Sequence, residues 1–210
     1  MQTTKEYIRK LLLNTAREAF LEKGFKNVSM REISKRSGVG LSNIYNYYSS
    51  KDDLLAIVLQ PLFDAMNSML ENHNRPEHFS LDIFISEEYH RASMKEVMRV
   101  VTLYRKEFKL LFLHAQDSRF KDYWEQWVEK STAIGMVYMD RMKALYPNLN
   151  TSVSPFFMHF TGYWWISMMR EVVLHENLSG EEIECFISEY IYFSTGGWKK
   201  LMGVEYKKEK

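Results

Sequence analysis

The sequence predicts an all-α protein of two unequal parts. Proline (4) and glycine (9) are scarce in 210 residues, which favours helices, since both residues weaken helix interiors. Apolar residues recur at three- and four-residue spacing through most of the chain. Serines followed three residues later by an acid (Ser29/Glu32, Ser50/Asp53, Ser179/Glu182) stand where helices should begin.

Each element follows from those signals. Residues 5–23 carry Ile8, Leu11, Leu12, Thr15, Ala16, Ala19 and Phe20 at helical spacing, and Gly24 is placed to stop that helix. Phe25 and Val28 are expected to pack back. Ser29 and Glu32 have capping-box spacing and open a second helix, with Ile33 as its inward anchor. It runs out at Ser37-Gly38, where glycine permits the positive φ of a tight turn, and Val39 fills the corner. The helix Leu41 to Tyr47 is too short to be stable alone, so it must lean on its neighbours through Ile44 and Tyr48. Two short helices joined by a tight turn behind a longer one form a helix-turn-helix, homeodomain-like, whose second helix lies in the DNA major groove.

Ser50 then caps a long helix running through Leu54, Leu55, Val58, Leu62, Phe63, Met66 and Leu70. Residues 72–79 read as a loop around Pro76. Residues 80–91 read as helix, although Asp82-Ile83-Phe84-Ile85 in isolation would suit a strand. Long helices are expected over 93–114 and 118–146, and a loop over 147–154. Ser154-Pro155 opens a helix to about Glu176. Ser179 and Glu182 open the last helix, to about Met202, and the tail 206–210 should fray. The predicted division is a head over 1–50 and a larger helical body over 51–205, with helix 51–72 joining them.

Composition narrows the function. Residues 1–60 hold 10 Lys/Arg against 6 Asp/Glu, and the remainder 18 against 21. A basic head on a mildly acidic body suits a polyanion partner, although a solvated surface has the same look. The single cysteine, Cys185, allows no intramolecular disulfide and fits a reducing cytoplasm. It lies in the apolar pattern of the last helix, where it should be inert. The polar start of the chain is unlike a signal peptide. Residues 144–169 lack Asp, Glu, Lys and Arg, but their apolar part spans only 156–169, short of the ~20 residues a membrane span needs. No zinc-protease spacing, glycine-rich phosphate loop or nucleophile elbow appears, so an enzyme on a helical scaffold is a distant reading and no cofactor is expected.

The string GVGLSNIYNYYSSKDDLL goes further. It resembles the tetracycline-repressor (TetR) family through Gly38, Val39, Ile44, Tyr45, Tyr47, Ser50, Lys51 and Leu54. It departs at Gly40, which offers no hydroxyl to a phosphate, and at Tyr48, where the family usually has Phe. The resemblance implies a DNA contact surface. Ser29 and Lys51 stand at helix N-termini, which favour phosphate, and Gly40 caps the recognition helix. Leu41, Ser42 and Asn43 start that helix. Asn43 can pair with adenine, Leu41 can touch a thymine methyl, and Arg31 can read guanine. Tyr45 and Tyr47 match backbone-contacting positions, and Asn46 can reach backbone or base. The plainer alternative is that Leu41 and the tyrosines pack in a core.

All five Trp, all six His and 11 of 13 Met follow residue 60. Such a body can pack a core or line an adaptable pocket. The pocket candidates are Tyr104, Phe108, Phe112, His114, Trp124, Trp127, His159, Tyr163 and Arg170. A small apolar or aromatic effector would suit them, and ordinary core packing is the alternative. The resemblance also implies a homodimer through the last two helices. The candidate contact residues are Trp164 and Met168 with Ile183, Ile187, Tyr190, Ser194 and Trp198; Leu201 continues the face of the last helix, and Phe186 and Phe193 lie beside it. The resulting expectation is a dimeric repressor of a roughly palindromic double-stranded DNA operator, released by an effector. A regulator answering to a protein partner, or to nothing, is the alternative.

Overall fold

The computed structural model describes residues 2–73, 75 and 79–204. The tail 206–210 and Pro76 lie outside the described residues. Among the described residues all regular structure is helical. The helices are α1 (Gln2–Asn27), α2 (Met30–Ser37), α3 (Leu41–Tyr45), α4 (Lys51–His73), α5 (Asp82–Ile85), α6 (Glu87–Leu103), α7 (Arg105–Lys109), α8 (Tyr123–Leu145), α9 (Pro155–Leu174) and α10 (Gly180–Met202). A π-helical turn, Leu110–His114, extends α7. None of these helices is long and apolar enough to cross a membrane.

The chain divides into two compact units. The first holds residues up to Asn67 together with Tyr104–Trp124, and the second holds Ser68–Leu103 with the residues from Glu125 onward. The unit containing the head is therefore larger than residues 1–50, because a distant segment folds onto it.

Three long helices differ from the sequence pattern. The apolar run 93–114 breaks at Tyr104, whose φ of −112° and ψ of 25° leave the helix before α7 begins. The helix expected from 118 begins only at Tyr123. The intervening residues turn because the Ser118 hydroxyl donates to the Ala115 carbonyl (2.6 Å) and accepts from the Phe120 N–H (3.1 Å). Residues 82–103 are helical but interrupted at Ser86, whose extended backbone ends α5. The Ser86 hydroxyl then accepts from the Tyr89 N–H near the start of α6.

In the second unit a core gathers Ile83, Phe84, Tyr138, Met139, Met142, Leu149, Val153 and Met202. The loop before α9 is pinned to the end of α10 by Asn150, whose N–H donates to the Met202 carbonyl (2.9 Å) and whose side chain donates to that of Leu201 (2.8 Å). Ser154 caps α9, accepting from Phe157, and Ser179 with Glu182 forms a complete capping box on α10.

Candidate nucleic-acid interface

The head is built on the stripe Leu12, Ala16, Ala19 and Phe20 of α1, all fully buried. Gly24 breaks α1 with φ 77° and ψ 156°, a conformation a β-carbon would strain. Phe25 and Val28 then turn inward and are buried. Ser29 accepts the Glu32 N–H at 3.1 Å, which caps α2. Only this half of the expected capping box is present. The Glu32 carboxylate instead takes Lys23 of α1 at 2.6 Å and Arg36 at 3.0 Å, and Arg36 also holds Glu22 at 2.6 Å. This network fixes α2 against α1.

The turn is closed by its own hydroxyls. Gly38 adopts φ 69°, Ser34 donates to the Val39 carbonyl at 2.7 Å, and the Val39 N–H reaches Ser37 at 3.2 Å. α3 is two residues shorter than expected, since Asn46 and Tyr47 fall in a turn. Gly40 provides no side-chain cap. Ile44 is fully buried and Tyr48 is buried, which anchors α3. The opposite face points outward: Ser42, Asn43, Tyr45 and Asn46 are exposed, and Leu41 and Tyr47 are half-buried. Ser29, Arg31 and Gly40 are exposed too. Helix α3 and the turn after it therefore display two amides, two hydroxyls and a leucine edge, a donor and acceptor set suited to base edges and phosphates.

Lys51, expected at a phosphate, is bonded within the head. Its ammonium is half-buried and donates to the Phe25 carbonyl at 2.6 Å and the Val28 carbonyl at 2.8 Å, 4.0 Å from the centre of the Phe25 ring. Burial pulls this ammonium below its ordinary value. Unpaired carbonyls at a helix C-terminus attract a cation, so Lys51 ties the start of α4 to the joint between α1 and α2.

The segment 104–124 grips the same head. Glu107 is buried and pairs with Arg17 at 2.9 Å. The Asp52 carboxylate accepts the Arg119 N–H at 2.9 Å, Asp53 pairs with the Arg119 guanidinium at 3.1 Å, and Lys26 lies 3.7 Å from Asp117. Phe63 stacks on Tyr123, with ring centres 4.5 Å apart. Sequence reasoning missed this docking. The one available signal was Glu107, a lone acid among Arg105, Lys106 and Lys109.

Three paired carboxylates of this unit set an acid limit. Hydrogen bonding to Arg36 lowers Glu22, hydrogen bonding to Lys23 lowers Glu32, and hydrogen bonds from Ser49 and Ser50 lower Asp53. All three fold with depressed values, so their contribution is complete above the ordinary carboxylate range (~4) and is lost as pH falls through the lower folded values. The urea midpoint is expected to fall steadily below about pH 4, and Glu32→Gln should flatten that fall. An equally steep fall in the variant would contradict the assignment.

The nine pocket candidates are divided between the two units. Tyr104, Phe108, Phe112, His114 and Trp124 belong to the first unit, and Trp127, His159, Tyr163 and Arg170 to the second. Phe108, Phe112 and Trp124 stack on one another, Phe112 and Trp124 at 4.4 Å. Trp127 stacks on Trp165, and His159 meets Tyr163 edge-on. Arg170 is exposed and pairs with Glu171. Three buried groups, the Tyr123 hydroxyl and the Trp124 and Trp127 indole N–H, find no hydrogen-bond partner among the described residues. Burial pushes the Tyr123 hydroxyl well above its ordinary value.

The residues of the contact face expected on the last two helices differ in exposure. Met168, Ile187 and Ser194 are buried within the second unit. Trp164 packs on Tyr190 and Phe193, Trp198 packs on Phe84 and Phe157, and burial pushes the Tyr190 hydroxyl up to about 12. Ile183 is half-buried. The exposed apolar residues are Phe156, Phe157, Phe160 and Tyr163 on α9, with Tyr192 and Phe193 on α10. α10 is apolar on more than one face, and the face with Ile187 and Ser194 turned inward. Cys185 is exposed rather than packed.

A three-helix head with a capped turn and an outward-facing short helix defines a helix-turn-helix protein. Residues 12–58 match the family of bacterial regulatory proteins described as the tetR family. It is 41% identical over 61 residues to the HTH-type transcriptional regulator UidR of Escherichia coli, covering 29% of this chain and 31% of that protein. It is 31% identical over 102 residues to an HTH-type transcriptional regulator of Staphylococcus aureus, covering 49% and 48%. The matches thus span about a third to a half of those relatives. Solved structures extend the likeness in fold. A TetR-like transcriptional regulator from Rhodococcus superposes with a TM-score of 0.59 at 18% identity, over 92% of this chain and 95% of that one. NalD, the secondary repressor of the MexAB-OprM multidrug efflux pump in Pseudomonas aeruginosa, gives 0.58 at 16%, over 97% and 100%.

Proposed function

We propose that this protein is a dimeric transcriptional repressor that binds a roughly palindromic DNA operator in the cytoplasm and is released by a small apolar or aromatic effector. The supporting observation is α3, held by Ile44 and Tyr48 and presenting Ser42, Asn43, Tyr45 and Asn46 outward. Asn43 and Leu41 would read bases, Arg31 would assist, and Ser29, Tyr45, Tyr47 and the Gly40 backbone would hold phosphates. The relatives named above are regulators, which supports this role over an enzymatic one. Selection from a pool of random duplexes tests the reading. It should enrich two inverted half-sites about one or more DNA turns (~34–36 Å) apart, whereas enrichment of no sequence would sink it.

Dimerisation would cover the aromatic stripe of α9 and α10. Phe156, Phe160, Tyr163, Tyr192 and Phe193 are exposed, and a β-carbon at Gly196 or Gly197 would meet nothing within 4 Å. A stripe this apolar calls for a partner surface, and a second copy of the same two helices is self-complementary under two-fold symmetry. Phe193→Arg should shift the protein from twice the chain mass to the single chain mass in sedimentation velocity at micromolar concentration. An unchanged mass would place the contact elsewhere.

The unpaired Tyr123 hydroxyl and Trp124 N–H support an effector carrying hydrogen-bond acceptors, because unpaired buried donors are costly. Binding would favour a spacing of the two heads that no longer fits the operator, with helix 51–72 as the transmitting element. The alternative is control by a protein partner. The ring stack of Phe108, Phe112 and Trp124 favours it by filling those three positions with packed core.

A further inference from the structure

In the second unit, His90 stands where α5, α6 and α10 pack together. Its backbone N–H takes the Ser86 carbonyl at 3.2 Å, at the break between α5 and α6. Its ring bonds the backbone of Ile83 in α5, and its Nε2 is buried with no hydrogen-bond partner among the described residues. The bond to Ile83 is therefore left to Nδ1, whose N–H donates to the carbonyl and fixes one neutral tautomer. Ile83 and Phe84 are buried, Phe84 packs on Trp198 of α10, and Tyr89 meets the His90 ring edge-on. α5 is a single turn, too short to hold itself, so its place depends on these contacts.

We propose that His90 is a pH-sensitive clasp, which holds α5 against α6 and α10 while its ring is neutral and loosens that junction when it gains a proton. A proton on Nε2 would be a buried donor and a buried charge without an acceptor. The surrounding charges do not supply one. Lys199 of α10 acts on the ring as a second cation. Asp82 of α5 is exposed and bonds Ser80. On α6, Glu87 and Glu88 are exposed, Arg91 reaches Glu184 and Ser188 of α10, and Tyr89 bonds Ser93. Burial, with Lys199 adding to it, holds the imidazole below its ordinary value, and the bond to Ile83 opposes them without prevailing. The folded value is depressed, so the clasp is complete above the ordinary histidine value (~6.5) and is lost as pH falls through the lower folded one. The loss thus begins above the carboxylate range and acts on the second unit.

Hydrogen exchange of the full chain at pH 7.5 and 5.5, read by mass spectrometry and corrected for the intrinsic pH dependence of exchange, tests this. Protection of peptides covering 82–94 should fall several-fold at the lower pH, while peptides from α2 in the head keep theirs. His90→Asn keeps a donor at the Nδ1 position and cannot titrate, so its protection over 82–94 should be equal at the two pH values. Wild-type protection over 82–94 that is the same at both pH values would overturn the clasp, whether or not the variant folds. An equal fall in α2 would overturn it as well, because the loss would then be global. So would an equal fall over 82–94 in His90→Asn, which would assign the titration to another group.

Discussion

Replacing Ile44 with alanine is expected to cost about 2–5 kcal/mol, the usual range for emptying a fully buried aliphatic site, and to abolish DNA binding. Ile44 is the fully buried side chain of the five-residue α3. Its N–H takes the Gly40 carbonyl at 3.1 Å, and its carbonyl takes the N–H groups of Tyr47 and Tyr48 at 2.9 and 3.0 Å. A helix this short has no stability of its own, so the cavity both destabilises the head and releases the surface that carries Asn43 and Tyr45. Urea denaturation and anisotropy should report the two effects together. Native affinity in the variant would mean that α3 is held by something other than its one inward side chain.

Lys51→Met separates two roles that sequence alone runs together. If the ammonium served a phosphate, its loss would lower the salt slope by ~0.9 and leave stability untouched. In the structure it satisfies the carbonyls of Phe25 and Val28 and lies over the Phe25 ring. Hydrogen bonds from a charged group contribute about 1.5–3 kcal/mol, toward the low end where the group is half-exposed. The expected result is a loss of roughly 1.5–3 kcal/mol in stability, weaker binding to every duplex, and an unchanged salt slope. Lys51→Arg should recover part of the stability, because guanidinium can reach the same carbonyls with poorer fit. A flattened slope with native stability would return Lys51 to the DNA surface.

Much of the head was legible because its signals are local. Ser29, Ser50, Ser154 and Ser179 mark boundaries through bonds made within three residues, Gly38 marks one through its positive φ, and Ile33, Ile44 and Tyr48 were recognisable as anchors from their spacing. The misses come from features without local signature. Periodicity runs unbroken through Tyr104, so the break before α7 was invisible. The docking of 104–124 on the head depends on Glu107, Asp117 and Arg119 meeting residues far away in the chain. α10 is apolar on two faces, and periodicity cannot say which one turns inward. The bonds of Lys51 to the Phe25 and Val28 carbonyls had no local sign either, since a lysine at a helix start invites a phosphate as readily as the carbonyls of a neighbouring helix.

The central claim is that the α3 face reads DNA sequence. The most direct measurement compares, at 100 mM KCl, binding of the full chain to its selected palindromic duplex and to a shuffled duplex of equal length and composition. The expected result is binding at least about a thousandfold tighter to the palindrome, as specific DNA-binding proteins show, with two chains bound per duplex. Equal affinity for the two duplexes would contradict it.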